Sequence, residues 1–305
     1  MSIALISDTS CNKHQMGDHH PEEPGRLDAI NNRLIASGLN MVLLHFDAPE
    51  VTREQLLAVH DKDYIDMVFE KSPAEGLAWL DGDTAMNPFT LEAALHAAGS
   101  AVLGVDLVMQ DKASQVFCAV RPPGHHAERH RAMGFCIFNN VAVGAYHALN
   151  HYGLKRIAII DFDVHHGNGT EDIVKGDDRI LFCSSFQHPY YPGGDFSTDD
   201  NNIINIPLPR LTDGEAFREA IFQHCIPRIE AFQPELIMIS AGFDGHREDD
   251  MAHFNLLEAD YEWITRQLSQ LATISANGRI VSCLEGGYHL QALARSVEAH
   301  IKAFL

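Results

Sequence analysis

Positive charge is scarce in this chain. Its 22 Lys and Arg stand against 42 Asp and Glu, giving a formal net charge of −20. That balance argues against a nucleic-acid-binding surface. It keeps a surface solvated, and it attracts cationic substrates at long range. CxxC pairs are missing too. Cys11, Cys118, Cys136, Cys183, Cys225 and Cys283 are scattered, mostly in apolar runs, and read as reduced, buried thiols. No Pro/Gly/Ser linker and no internal repeat divides the chain, and no apolar run is expected to span a bilayer. The stretch MSIALISDTS lacks a basic n-region and a small-residue cleavage site, so it reads as a first strand of a cytoplasmic protein with no membrane partner. With 305 residues at 46% hydrophobic, the chain can bury one large α/β core or two smaller ones.

What is present is an alternation of strand and helix. After the first strand and a polar loop, Pro24 opens a helix to about Ser37, with Gly38 as its stop. MVLLHF reads as a strand, Thr52 to Glu70 as two short helices, LAWLDGDTAMNP as turns, and Thr90 to Met109 as an Ala-rich helix with small residues for close packing. Then come the strand QVFCAV, the helix NNVAVGAYHALNHYG, the strand at Arg156, a short helix near Glu171, and the strands RILFCS and IINIPL. A helix from the N-cap Asp213 to Phe232 should kink at Pro227. LIMISA, a helix from Asp260 to Ala276, RIVSCL and a helix from about Leu290 complete the pattern. Such alternation means a mostly parallel sheet covered on both faces, with ligands at the strands' carboxyl ends.

Four strands end in unusual polar segments: QVFCAV in RPPGHHAERH, the Arg156 strand in DFDVHHGNG, LIMISA in GFDGH and RIVSCL in EGGYH. One such segment would be an ordinary polar loop, and most of the 19 histidines are ordinary too. Four on one rim make a site. Asp163 and His165 lie two apart on an extended chain and project to the same side. With Asp244 they supply two carboxylates and an imidazole, leaving a fourth position open for water or substrate, as in catalytic metal sites. Zinc suits this set best, with Fe(II) the alternative. The stiff Arg121-Pro122-Pro123-Gly124 turn fixes His125 and His126 for general acid/base work. Tyr288, after two glycines, can swing inward and donate to a developing oxyanion.

RPPGHHAERHRAMGFCIFNN, DFDVHHGNGT, SAGFD and LEGGY resemble the signature segments of the zinc-dependent histone deacetylase family, and GDHHPEEPGRL is similar to its HPExPxR segment. The relatives include bacterial histone-deacetylase-like amidohydrolases and acetylpolyamine amidohydrolases. The resemblance implies one arginase-like α/β domain over 1–305, with eight mostly parallel strands and helices on both faces. It implies zinc on Asp163, His165 and Asp244, with His126 as general base and then acid. His125 would be its electrostatic partner, hydrogen-bonded to Asp161. Tyr288 would polarise the amide carbonyl. Gly134, Phe135 and Tyr191 would line a narrow tunnel, and Arg26 would sit near an internal acetate channel. A potassium ion would draw on Asp161, Asp163, His165 and the region of Ser184 and Ser185. The residue orienting His126 is Asn168, as in the class II branch, and a neutral partner leaves His126 less basic than a carboxylate would. Tyr191 stands where many relatives have Phe, which breaks a purely apolar tunnel wall.

The implied reaction is hydrolysis of an acylated amine, acetyl-lysine in proteins or peptides being the expected substrate. Asp83 in LDGDT is a candidate acceptor for a substrate backbone or amine N–H, against an ordinary place in a turn. An acetylpolyamine or other small-amide hydrolase is the rival. Such relatives carry longer loop insertions, and Met251 occupies the position where an acidic gatekeeper would be needed. Glu248, Asp249 and Asp250 beside it could nonetheless favour a cationic substrate. From another class, a catalytically dead acyl-lysine binder would have lost a ligand, His126 or Tyr288, and all are present.

Overall fold

The structure, a computed structural model, describes residues 2–197 and 200–305. Its strands are β1 (Ile3–Ser7), β2 (Leu44–Asp47), β3 (Ala78–Trp79), β4 (Ala85–Met86), β5 (Gln115–Cys118), β6 (Ile157–Asp161), β7 (Ile180–Gln187), β8 (Ile203–Leu208), β9 (Leu236–Ala241) and β10 (Ile280–Leu284). The helices are α1 (Gly25–Ala36), α2 (Arg53–Leu57), α3 (Lys62–Lys71), α4 (Thr90–Met109), α5 (Asn140–His151), α6 (Asn168–Val174), α7 (Gly214–Ala220), α8 (Ile226–Phe232), α9 (Glu258–Ser275) and α10 (Leu290–Lys302). Eight strands form one sheet in the order β2-β1-β5-β10-β9-β6-β7-β8, and β3 with β4 makes a small antiparallel hairpin. Every pairing in the large sheet is parallel.

That order matters for the site. The four strands whose ends carry the chemical segments are consecutive at the centre of the sheet, β5-β10-β9-β6. Their residues are buried throughout, as continuous apolar strands covered on both faces must be. Successive residues face opposite layers. Val116 and Val281 pack toward Gly104 of α4, whereas Phe117 and Ser282 face His300 of α10. On the α4 side, Gly144 of α5 lets that helix approach Ala101 closely, so small residues set the layer's spacing. On the other, α10 packs between α1 and α9.

Three sequence expectations shift. The strand expected from Met41 begins at Leu44, because Leu39–Met41 wind into a 3₁₀ turn that leaves Met41 and Val42 in solvent. The helix opened by Asp213, whose Oδ1 accepts from the Ala216 N–H at 3.0 Å, is interrupted at Ile221–Cys225 by a π-helical turn just before Pro227. The wider turn absorbs the ladder position that proline leaves without a donor. Third, α4 is long and apolar enough to cross a bilayer by length and composition, which the sequence reading did not foresee. In the fold 67% of its most apolar window is buried, against α5 and the sheet. All six cysteines are free and buried.

Two buried histidines are held neutral by this packing. His300 lies between the hydroxyls of Thr265 (2.7 Å) and Ser282 (2.9 Å), and burial pushes its pKa down to about 3. His60 donates from Nδ1 to the Glu128 carbonyl at 2.9 Å and accepts the Asn139 N–H at 3.0 Å, and burial pushes it down to about 4. The unfolded chain therefore takes up these protons first as pH falls. Their contribution is complete above pH 6.5 and is lost toward pH 4, at about 1.4 kcal/mol per pH unit for each group. Between pH 7 and 5 the urea midpoint of a His300→Gln variant should fall less than that of the wild type; an equal change in both would contradict the assignment.

Candidate active site

At the end of β6 the chain folds back on its own carboxylates. Asp161 Oδ1 accepts the Asp163 N–H at 3.1 Å, and Asp163 Oδ1 accepts the His165 N–H at 2.9 Å. Asp244, beyond the end of β9, accepts the Val164 N–H at 3.1 Å, and the Gly286 N–H beyond β10 reaches Asp163 Oδ2 at 2.8 Å. A Cβ on Gly286 would lie 2.1 Å from Asp244 Oδ2, so only glycine lets this backbone close over the pair.

The outcome is a tight donor set. His165 Nδ1 stands 3.1 Å from Asp163 Oδ1 and 3.1 Å from Asp244 Oδ2, all three residues being buried. Their ligand atoms lie within 4.8 Å of one another. Burial would disfavour charge on His165, yet the two carboxylates drive its pKa well above the usual imidazole value. Asp163 is held below the carboxylate range by His125 and His165 despite its burial, while burial and the charge of Asp163 push Asp244 up to about 6. Two carboxylates thus compete for one imidazolium. Two oxygens and one nitrogen short of positive charge fit a divalent cation of the zinc type, which would take the place of the shared proton.

Beyond β5, the two imidazoles of His125 and His126 lie 4.0 Å apart, centroid to centroid, in opposite electrostatic settings. Burial would lower the pKa of His125. Asp163 and Asp161 outweigh it, with Asp161 Oδ2 at 3.0 Å from Nδ1, and raise it to about 10. His126 is pushed well below 6.5 by burial, then by the positive charge on His125 and His165. Its Nδ1 is 2.7 Å from Asn168 Oδ1, and the Asn168 amide donates to Glu128 Oε1 at 2.8 Å. That fixes the amide's orientation, so Nδ1 carries the proton and Nε2 is the free base.

His126 and His165 face a cavity of about 230 Å³. His126, His165 and Tyr288 bring two imidazoles and a phenol to it. Phe135, Tyr190, Tyr191 and Met251 supply most of the remaining wall. Gly134 and Asp83 line it as well. Gly134, at φ +56°, packs so closely on His126 that a Cβ would fall 2.3 Å from its Cδ2. The rings of Tyr191 and His126 meet edge to face at 5.2 Å, and burial with the nearby Asp83 carboxylate raises the Tyr191 phenol's pKa. Tyr288 lies 5.9 Å from Phe135, with the Arg26 guanidinium 4.9 Å over its ring. Its pKa is raised by burial, so it remains a proton donor.

Asp83 is a turn residue that also lines the cavity. Its Oδ1 accepts the Gly134 N–H at 3.0 Å and the Thr84 hydroxyl at 2.8 Å, fastening the turn to the cavity wall it also lines. Ser184 is Asp161's register partner on β7, and the buried Ser185 Oγ has no hydrogen-bond partner. Two of the acidic trio after Asp244 are a correction, while Asp250 stays exposed. Asp249 is buried and turned onto backbone N–H groups, and Glu248 pairs with Arg295 at 2.9 Å, so neither is free to attract a cation. Sequence reasoning also missed two carboxylates and a ring. Glu285 Oε2 accepts the Gly124 and His125 N–H groups at 2.7 and 3.1 Å, and Glu22 binds Arg121 and Arg26 in the interior. Their signal was an acid closing an apolar strand and an acid inside HPEEPGR. Tyr190 stacks on His165 at 5.8 Å, and nothing in the local pattern marks it.

Sheet order and cavity define an α/β protein with a buried candidate cation site and two adjacent histidines at its strand ends. The Histone deacetylase domain profile matches residues 20–304, and the chain belongs to the histone deacetylase family, as a deacetylase of that family. It is 39% identical over 312 residues to the uncharacterized protein slr0245 of Synechocystis, covering 99% of both chains. It is 36% identical over 301 residues to the polyamine deacetylase HDAC10 of Mus musculus, covering 93% of this chain and 45% of that one. The crystal structure of the HDA15 HD domain superposes with a TM-score of 0.92 at 32% identity, over 99% of this chain and 89% of that one.

The donor set makes a prediction independent of catalysis. Chelator-treated protein should gain stability on adding a divalent transition metal, by about 2.7 kcal/mol at a hundredfold excess over Kd. Asp244→Asn should abolish that gain; an unchanged gain in thermal unfolding would place the cation elsewhere.

Proposed function

We propose that the chain is a zinc-dependent amidohydrolase that removes an acetyl or other short acyl group from an acylated amine, N-ε-acetyl-lysine in proteins or peptides first. The observation that carries this is the meeting, at one cavity, of His126, the Tyr288 phenol and His165, whose Nδ1 lies against Asp163 and Asp244 behind the wall. Zinc on those three residues would polarise the amide carbonyl and acidify a water. His126 Nε2 takes the proton as that water attacks the carbonyl carbon. His126 then gives it to the amine nitrogen as the C–N bond breaks, leaving a carboxylate and an amine. Tyr288 Oη donates to the carbonyl oxygen as negative charge collects there. His125, held cationic by Asp161 and Asp163, keeps its neighbour neutral and ready to accept.

Phe135 and Tyr191 would enclose the acyl-amine stem, and Asp83 would accept a substrate N–H while holding Gly134. A potassium ion near Asp161, Asp163, His165, Ser184 and Ser185 belongs to the same proposal, supported by the unpartnered Ser185 Oγ. A polyamine substrate is the second reading, favoured by the mouse relative's name. Against it, Met251 lines the cavity where a cationic amine would need a carboxylate.

Purified protein should turn over an acetyl-lysine peptide faster than N-acetylputrescine, lose activity to a chelator and regain it with zinc. Tyr288→Phe should lower kcat by about 10²–10³-fold, the usual cost of losing one oxyanion donor. A strong preference for acetylputrescine would reverse the substrate assignment, and full metal loading without turnover of any acyl chain would favour a binding module.

A further inference from the structure

The segment that carries Tyr288 leaves β10 at Leu284 and turns at Gly287, where φ is +120°. It is held from two directions. On one, Arg26 Nε donates to the Gly287 carbonyl at 2.6 Å and Nη2 donates to the Glu285 carbonyl, its guanidinium covering the Tyr288 ring. On the other, Asp249 Oδ2 accepts the N–H groups of Tyr288 at 2.6 Å and His289 at 2.9 Å. The second oxygen of that carboxylate accepts the Met251 N–H at 3.0 Å.

Asp249 is only 5% exposed, and among the described residues it has no Lys or Arg partner. A buried carboxylate needs donors, and here three backbone N–H groups supply them. Backbone donors cannot swing as side chains do, so each bond fixes a stretch of chain. Met251 is joined onward through its carbonyl to the Tyr190 hydroxyl at 3.1 Å, and Tyr190 stacks on His165. One carboxylate therefore ties the phenol's backbone to the cavity wall and, through it, to the cation-binding imidazole.

We infer that Asp249 is a positioning residue for Tyr288, setting where its phenol meets the substrate and linking that placement to Met251. This rests on the reading above, in which Tyr288 Oη donates to the reacting carbonyl. An oxyanion donor works only within hydrogen-bond reach of the developing charge, so a shift of its backbone is felt in kcat.

The test is a double-mutant cycle with acetyl-lysine peptide. Asp249→Ala should lower kcat by about 10–100-fold, the effect of misplacing a group by roughly 1 Å, with KM and bound metal little changed. In a Tyr288→Phe background the same change should cost less than about threefold, because the group it positions is already gone. Asp249→Asn keeps one carbonyl oxygen for the Tyr288 and His289 donors. It should fall between wild type and Ala, and it serves the same cycle if the Ala variant does not fold. Losses that multiply in the double variant, or an Asp249→Ala enzyme with full kcat, would overturn the inference. A crystal structure of the same variant gives a readout free of catalysis. Tyr288 displaced from Arg26 supports positioning even if no amide is cleaved, in which case the reaction fails and not the placement; Tyr288 unmoved overturns it.

Discussion

Everything at this site follows from a buried surplus of negative charge. Asp161, Asp163, Asp244 and Glu285 converge at the carboxyl ends of neighbouring strands, where water is excluded. The fold answers with backbone N–H donors from Asp163, Val164, His165, Gly124, His125 and Gly286. Those bonds leave Asp163 and Asp244 still sharing one imidazole nitrogen. A site so short of positive charge is prepared for a cation before one arrives.

The same surplus separates two adjacent histidines. Both are buried, and burial alone would hold both neutral. Asp161 and Asp163 overcome it at His125 and raise its pKa to about 10. His126 has an amide partner, Asn168, and feels the positive charge of His125 and His165, so its pKa falls. A carboxylate in the place of Asn168 would blur that separation. With the amide there, a free imidazole nitrogen faces the cavity beside the His165 ring.

Much of this was legible in the chain. Ile157 to Ile160 and the other apolar runs announced buried parallel strands, because a strand covered on both faces is mostly apolar. The polar residues that break those runs then stood out as the site: Asp161, Asp163, His165, Asp244, His125, His126 and Tyr288. Legibility failed where a residue's role depends on distant backbone. Asp249 reads as one of three acids in a solvated loop, but its carboxylate turns inward to the N–H groups of Met251, Tyr288 and His289. Met41 and Val42 fit a strand pattern, but the turn at Leu39 takes them out of it. Pro227 predicted a kink without showing that a π-helical turn upstream would absorb it.

By itself, the sequence determined the kinds of atom available at each strand end and the alternation that makes those strands parallel, since both are local properties of composition and spacing. Only the tertiary structure decided that β5, β10, β9 and β6 are neighbours, that Arg26 covers Tyr288, and that Glu285 and Asp249 serve backbone donors rather than substrate. Sheet order and the direction of a buried carboxylate are settled by hydrogen bonds between segments far apart in the chain, and no local pattern carries that information.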